Sequence, residues 1–169
     1  MKVYYAGKIA KNDWRHTLYP NLRNFNPDFD FEIKHKRYSF LNYSGPFFIS
    51  CDHGCYHGKN THGVGRDRET CEYMESIKKV SNKCLNLIKE SDAIFCFIES
   101  IDCYGTLVEI GYAKALRKPI FIALDNNLKT NDYKEIWFAL ESADKVIKTS
   151  DIIDAHFKFL TFIYESGCK

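Results

Sequence analysis

Ser91–Leu124, SDAIFCFIESIDCYGTLVEIGYAKALRKPIFIAL, decides the fold of this chain. Ala93–Ile98 and Ile120–Leu124 are short, near-continuous apolar runs, and the segment between them has helical character from about Thr106 to Leu116. Buried strands alternating with helices in this way are the pattern of parallel βαβ units. Gly105 is expected to form the turn that leads from strand to helix. The helix then carries a carboxylate, Glu109, expected in its first turn and just beyond the carboxyl end of the preceding strand. In open α/β sheets that edge is where ligands bind. The helix N-terminus is expected to favour the ionised form of Glu109, which makes it a candidate nucleophile.

Working outward, Val3–Ala6 reads as a first buried strand, followed by Gly7 as a tight turn. Asn12 or Asp13 is a candidate cap for a helix from about Trp14 to Arg23, weakened near its end by Pro20. Asn24–Asp30 reads as a loop, and Phe31–Ser50 as the second strand with an extra hairpin or flap. A long helix is expected from Arg66 or Asp67 to about Lys89. After Leu124 come a helix over Asp132–Glu141, a short strand at Lys145–Ile147 and a terminal helix over Asp151–Ser166 capped by Ser150. The fold class is therefore α/β: a five-stranded, mainly parallel, doubly wound sheet of the flavodoxin or Rossmann-like kind, in order 2-1-3-4-5. The chain is expected to be a single domain over 1–169, with an inserted loop at about 24–65.

The totals exclude several function classes. At 169 residues, 45% hydrophobic and 15% aromatic, the chain is long enough to bury a proper core. A net charge of +2 lacks the strongly basic face of a dedicated nucleic-acid binder. No apolar run approaches the ~20 residues of a membrane span, and no signal or transit peptide is expected ahead of the first strand. Seven cysteines without such a leader read as reduced thiols in a cytoplasmic protein rather than a disulfide framework.

The string GTLVEIGYA, followed by a basic residue, proline and a strand, closely resembles the signature of the nucleoside 2-deoxyribosyltransferase family, and the opening KVYYAG resembles that family's first strand and turn. The resemblance covers roughly 1–20 and 81–150. It implies an enzyme that cleaves the N-glycosidic bond of a small-molecule nucleoside or nucleotide, with Glu109 as nucleophile and Tyr4 positioning it through its hydroxyl. It also implies a homo-oligomer in which a neighbouring chain completes the pocket; the segment around Tyr133–Leu140 is the candidate contributor, with Trp137 and Phe138 read either as part of that contact or as core. Gly7 and Gly105 would border the substrate crevice.

Two positions depart from the family pattern. An aspartate serving the leaving base is replaced by Cys84. A second, six residues before the nucleophile and holding a sugar hydroxyl, is replaced by Cys103, with Asp102 beside it; related 2′-deoxynucleotide hydrolases place a serine there to hold a 5′-phosphate. A thiol is a weak donor and acceptor, so replacements are sought elsewhere. Cys51–Gly65, CDHGCYHGKNTHGVG, is glycine-rich and concentrates acid and imidazole. Asp52 is the candidate acid, with His53, His57 or His62 as candidate proton donors. Arg15 is a candidate phosphate ligand, the alternative being a solvated arginine near a helix start. Trp14 or Tyr56 is a surface on which a base could stack, the alternative for Trp14 being a core ring. Cys51, His53, Cys55 and His57 also invite a zinc reading, but C-x-H-x-C-x-H is not a usual structural spacing, so no metal and no cofactor are expected. Two other readings keep the fold: a TIR-like NAD glycohydrolase, or a non-catalytic nucleotide sensor in which Glu109 grips a ribose.

Overall fold

A computed structural model describes residues 1–9, 13–24, 33–46 and 77–167. The apolar runs form a five-stranded sheet in the order β2-β1-β3-β4-β5, from β1 (Lys2–Ala6), β2 (Asn42–Ser44), β3 (Ala93–Ile98), β4 (Ile120–Leu124) and β5 (Lys145–Lys148). All neighbours in it are parallel. This is the expected topology. Helices α1 (Arg15–Leu18), α2 (Ile77–Glu90), α3 (Tyr104–Ala115), α4 (Thr130–Glu135), α5 (Trp137–Ser142) and α6 (Ile152–Glu165) accompany it.

Because strand side chains alternate between faces, the three central strands build two chemically different cores. Tyr5, Phe95, Phe97 and Phe121 point to one face, where they meet Trp14, Tyr19 and Phe159. Tyr4, Ile94, Cys96, Ile98, Ile120 and Ile122 point to the other, against Ile88, Ile110 and Ala113. The first core is held by aromatic edge and stacking contacts, such as Phe95 on Phe121 at 5.9 Å and Trp14 on Phe97 at 5.7 Å. Each fully buried side chain of this size contributes ~1.5–3 kcal/mol. The two tyrosines of β1, adjacent in sequence, therefore face opposite sides of the sheet.

Several boundaries differ from expectation. The first helix is only one turn, because Pro20 cannot continue it and the chain passes into a 3-10 turn at Pro20–Asn24. The N-cap position is Trp14, which offers no side-chain cap; Asp13, one residue earlier, accepts the amide of Arg15 on its Oδ1 at 3.0 Å. The helix anticipated over Asp132–Glu141 is two helices, separated at Ile136. The terminal helix is capped by Asp151 rather than Ser150, with Oδ1 of Asp151 accepting the amides of Ile153 and Asp154. Ser150 instead accepts the amide of Asn126. A bridge between Lys34 and Asn42 is antiparallel, which fits the hairpin expected ahead of the second strand. The Cys51–Gly65 loop and the first turns of the helix expected from residue 66 lie outside the described residues.

Candidate active site

The sheet's switch point lies between β1 and β3, from which the chain departs in opposite directions. At their carboxyl ends a shallow cleft of about 270 Å³ is lined by Gly7, Lys8, Cys103, Gly105, Thr106 and Glu109, among others. Gly7, Gly105 and Glu109, expected to border the crevice, come together here.

Glu109 is not in the first helical turn. The helix begins at Tyr104 and has no acidic residue in its first turn, so Glu109 falls in the second. Gly105 is accordingly a helical residue and not a turn. This relocation changes the electrostatics, since the helix-dipole effect fades within the first turn. On a helix whose buried face joins the aliphatic core, the half-buried Glu109 has its carboxyl pushed up to about 7 by desolvation. The hydrogen bond from Tyr4 and the nearby Arg15 charge oppose that rise without cancelling it. The expectation that the helix end would hold this group ionised is corrected: burial wins.

Tyr4 is fully buried on β1, and its hydroxyl donates a short hydrogen bond to Oε1 of Glu109. Burial and the adjacent carboxylate hold the phenol well above its ordinary range, so it stays a donor. The thiol of Cys84, projecting from α2, lies against the same hydroxyl. Cys103 is buried in the cleft wall, and Cys96 is buried on β3. Burial, with the Glu109 charge adding to it, raises all three thiols; Cys84 and Cys103 reach about 11. They are therefore protonated near neutrality and do not compete as nucleophiles.

Arg15 and Trp14 occupy places different from those their expected roles need. Arg15 is completely buried. Its Nε donates to the carbonyl of Tyr5 and its Nη2 to that of Gly7, both at 2.9 Å, while Nη1 pairs with Asp13 at 2.6 Å. The guanidinium is spent on the β1–α1 turn, and a phosphate would find its donors taken. Trp14 packs among Tyr5, Phe95 and Phe97 with 7% of its surface exposed, so it is a core ring and not a face for a base. It also explains Gly7: a Cβ there would sit 2.7 Å from the Phe97 carbonyl oxygen and 3.0 Å from the Trp14 ring. Nothing in the local sequence marked Arg15 as the staple of this turn.

Asp102 stands exposed at the cleft rim, where Lys8 pairs with it at 2.5 Å and Ser100 donates to it. Those bonds hold its carboxyl below the usual range. Asp52, His53 and His57 lie outside the described residues. Among the described residues no cluster of three or more His, Cys, Asp or Glu side chains is arranged to hold a metal, and no helix is long and apolar enough to cross a membrane.

The family model for nucleoside 2-deoxyribosyltransferase matches residues 3–151. No curated protein matches the chain.

Proposed function

The chain belongs to the nucleoside 2-deoxyribosyltransferase family, and from that premise we propose that it cleaves the N-glycosidic bond of a nucleoside or nucleotide through Glu109. One observation carries the reading: a half-buried carboxyl in the switch-point cleft, gripped on Oε1 by the Tyr4 hydroxyl and titrating at about 7. Oε2 is then the oxygen left to attack the anomeric carbon. The bond from C1′ to the base breaks with its electron pair leaving on the base nitrogen, and a C1′–O ester to Glu109 forms, as in retaining glycosidases. A second base or water then attacks C1′ and frees the carboxylate. Tyr4 fixes the carboxylate's direction, and the low-dielectric surroundings keep its charge effective.

The base must be protonated or hydrogen-bonded as it departs, and Asp52, His53 and His57 are the groups proposed for that step. Tyr104, 74% exposed, lines the cleft, and Val108, 65% exposed, follows it on α3. Trp137 and Phe138, on the neighbouring α5, are also exposed. Large apolar side chains left open beside a shallow cleft support a homo-oligomer in which a second copy supplies the missing wall.

The test is incubation with deoxynucleosides, ribonucleosides, their 5′-monophosphates and NAD, with and without an acceptor base, followed by chromatography for free base. Base release or exchange is expected, and Glu109→Ala is expected to lower it by a factor of ~10³ or more. Absence of release from every class, or near-normal release by Glu109→Ala, would overturn the proposal.

A further inference from the structure

A larger cavity, about 720 Å³, lies on the other face of the sheet, between α1, the segment preceding β2 and the first turns of α6. Its volume is that of a small-molecule site, and it is distinct from the cleft at Glu109. Two nearly buried imidazoles line it: His35, 9% exposed, and His156, 2% exposed. Their rings stack at 5.1 Å with 17° between planes. Nδ1 of His35 accepts the amides of Arg37 and Tyr38, each at 3.1 Å. A neutral imidazole that accepts on Nδ1 carries its proton on Nε2, so His35 Nε2–H is a donor. It has no acceptor among the described residues. Nε2 of His156 is engaged by the Tyr5 hydroxyl at 2.9 Å, and its Nδ1 has no partner among the described residues. Both nitrogens belong to imidazoles that wall this open space, so each is left to a ligand or to water.

Charge and shape around the imidazoles narrow the ligand. Lys36 and Arg37 line the same cavity with no carboxylate partner among the described residues, and the Arg37 guanidinium lies 5.6 Å from the Tyr38 ring. The acids on the opposite wall are occupied: Asp151 caps α6 and Asp154 pairs with Lys158 at 2.7 Å. Phe157 and Ile153 expose 61% and 52% of their surface at the cavity. We propose that this cavity is a second ligand site, taking a planar aromatic anion whose ring lies against Tyr38 and Phe157 and whose acidic group is met by Nε2–H of His35 and by Arg37. An apolar ring covers the exposed side chains, and the anion satisfies the donor and the two cations.

Calorimetric titration of the whole chain with 1-naphthoate and with 1-naphthyl phosphate tests the site and separates a carboxylate from a phosphate ligand, with 1-naphthylmethanol as the uncharged control. At least one anion is expected to saturate a single site with a Kd of about 1 mM or tighter, and the alcohol to bind at least ~10-fold more weakly. Arg37→Gln should weaken the preferred anion by ~5-fold or more. Thr17→Trp adds bulk from an exposed position at the cavity and should abolish binding, whereas Glu109→Gln should leave it intact. No saturable binding of either anion, equal binding of the alcohol, indifference to both Arg37→Gln and Thr17→Trp, or loss in Glu109→Gln would each overturn the assignment.

Discussion

Glu109→Gln isolates the energetic consequence of burying a carboxyl under the sheet edge, and it can be measured without knowing the substrate. In the folded chain Glu109 titrates at about 7, against an ordinary value of 4.5. The native state therefore binds the proton more tightly than the unfolded chain does. The stability this contributes is complete below pH 4.5 and is lost as pH rises through about 7, at about 1.4 kcal/mol per pH unit across that window. Between pH 5 and pH 8.5 the two-state linkage gives a loss of about 2.5 kcal/mol, reduced to about 2 kcal/mol because Glu109 keeps some contact with solvent. Glutamine keeps the shape and an acceptor for Tyr4 but has no charge to desolvate. Urea unfolding of both proteins at pH 5 and pH 8.5 should show the variant's advantage growing by that amount as pH rises. A difference that stays flat would refute the raised carboxyl. A variant that becomes relatively less stable at pH 8.5 would show that the Tyr4 bond and the Arg15 charge outweigh burial.

Tyr4→Phe removes a hydrogen bond that favours the ionised carboxyl, a bond worth ~1.5–3 kcal/mol. The acidic limb of the pH–rate profile should therefore move up by ~1–2 pH units, with much of the lost rate recovered near pH 9; a limb that stays in place would count against Tyr4 as the positioning group. Arg15→Met strips Asp13 of its guanidinium partner and releases the carbonyls of Tyr5 and Gly7. Unfolding measurements should show a loss of about 3–5 kcal/mol, and a loss below ~1 kcal/mol would mean that the turn does not depend on this staple. His156 is held down to about 3 by burial, so the unfolded chain binds the extra proton first. Stability should fall by up to about 1.4 kcal/mol per pH unit from about pH 6.5 toward pH 3, and His156→Gln should flatten that slope.

The sheet was legible because its central strands are buried on both faces, which leaves runs such as AIFCFI that have no other comfortable place in a fold. The alternation of aromatic and aliphatic side chains within those runs even separates the two cores. Glu109 was legible from its string, but its setting was not. Cys103 and Tyr104 carry no start signal, and no side chain caps the helix they begin. Gly105 then looked like a turn although the helix absorbs it. Arg15 and Trp14 were misplaced for a related reason. Both residue types are common at binding sites, and only the tertiary arrangement shows one laced to backbone carbonyls and the other filling the space above Gly7. The imidazole pair comes from residues 35 and 156, far apart in sequence, so no local pattern could join them.

The thiols around Glu109 constrain how the proposed chemistry can run. Cys84, Cys96 and Cys103 are neutral near pH 7 and each couples to Glu109. With thiols in the positions where the family pattern has carboxylates, Glu109 is the one carboxyl lining the inner cleft among the described residues, with Asp102 paired at the rim. A carboxyl that titrates at about 7 is divided almost evenly between its two forms at neutrality, and only the ionised form can attack carbon. The same group cannot also protonate the departing base in that step. Asp102 is an unsuitable donor, because Lys8 and Ser100 hold it ionised. If the reaction proceeds through Glu109, the leaving group must either depart without a proton, which favours bases that are stable as anions, or take one from a group beyond positions 84, 102 and 103. Dependence of the rate on the basicity of the leaving group distinguishes the two. A steep dependence means an unassisted departure, and a shallow one means that an acid such as Asp52, His53 or His57 reaches the base.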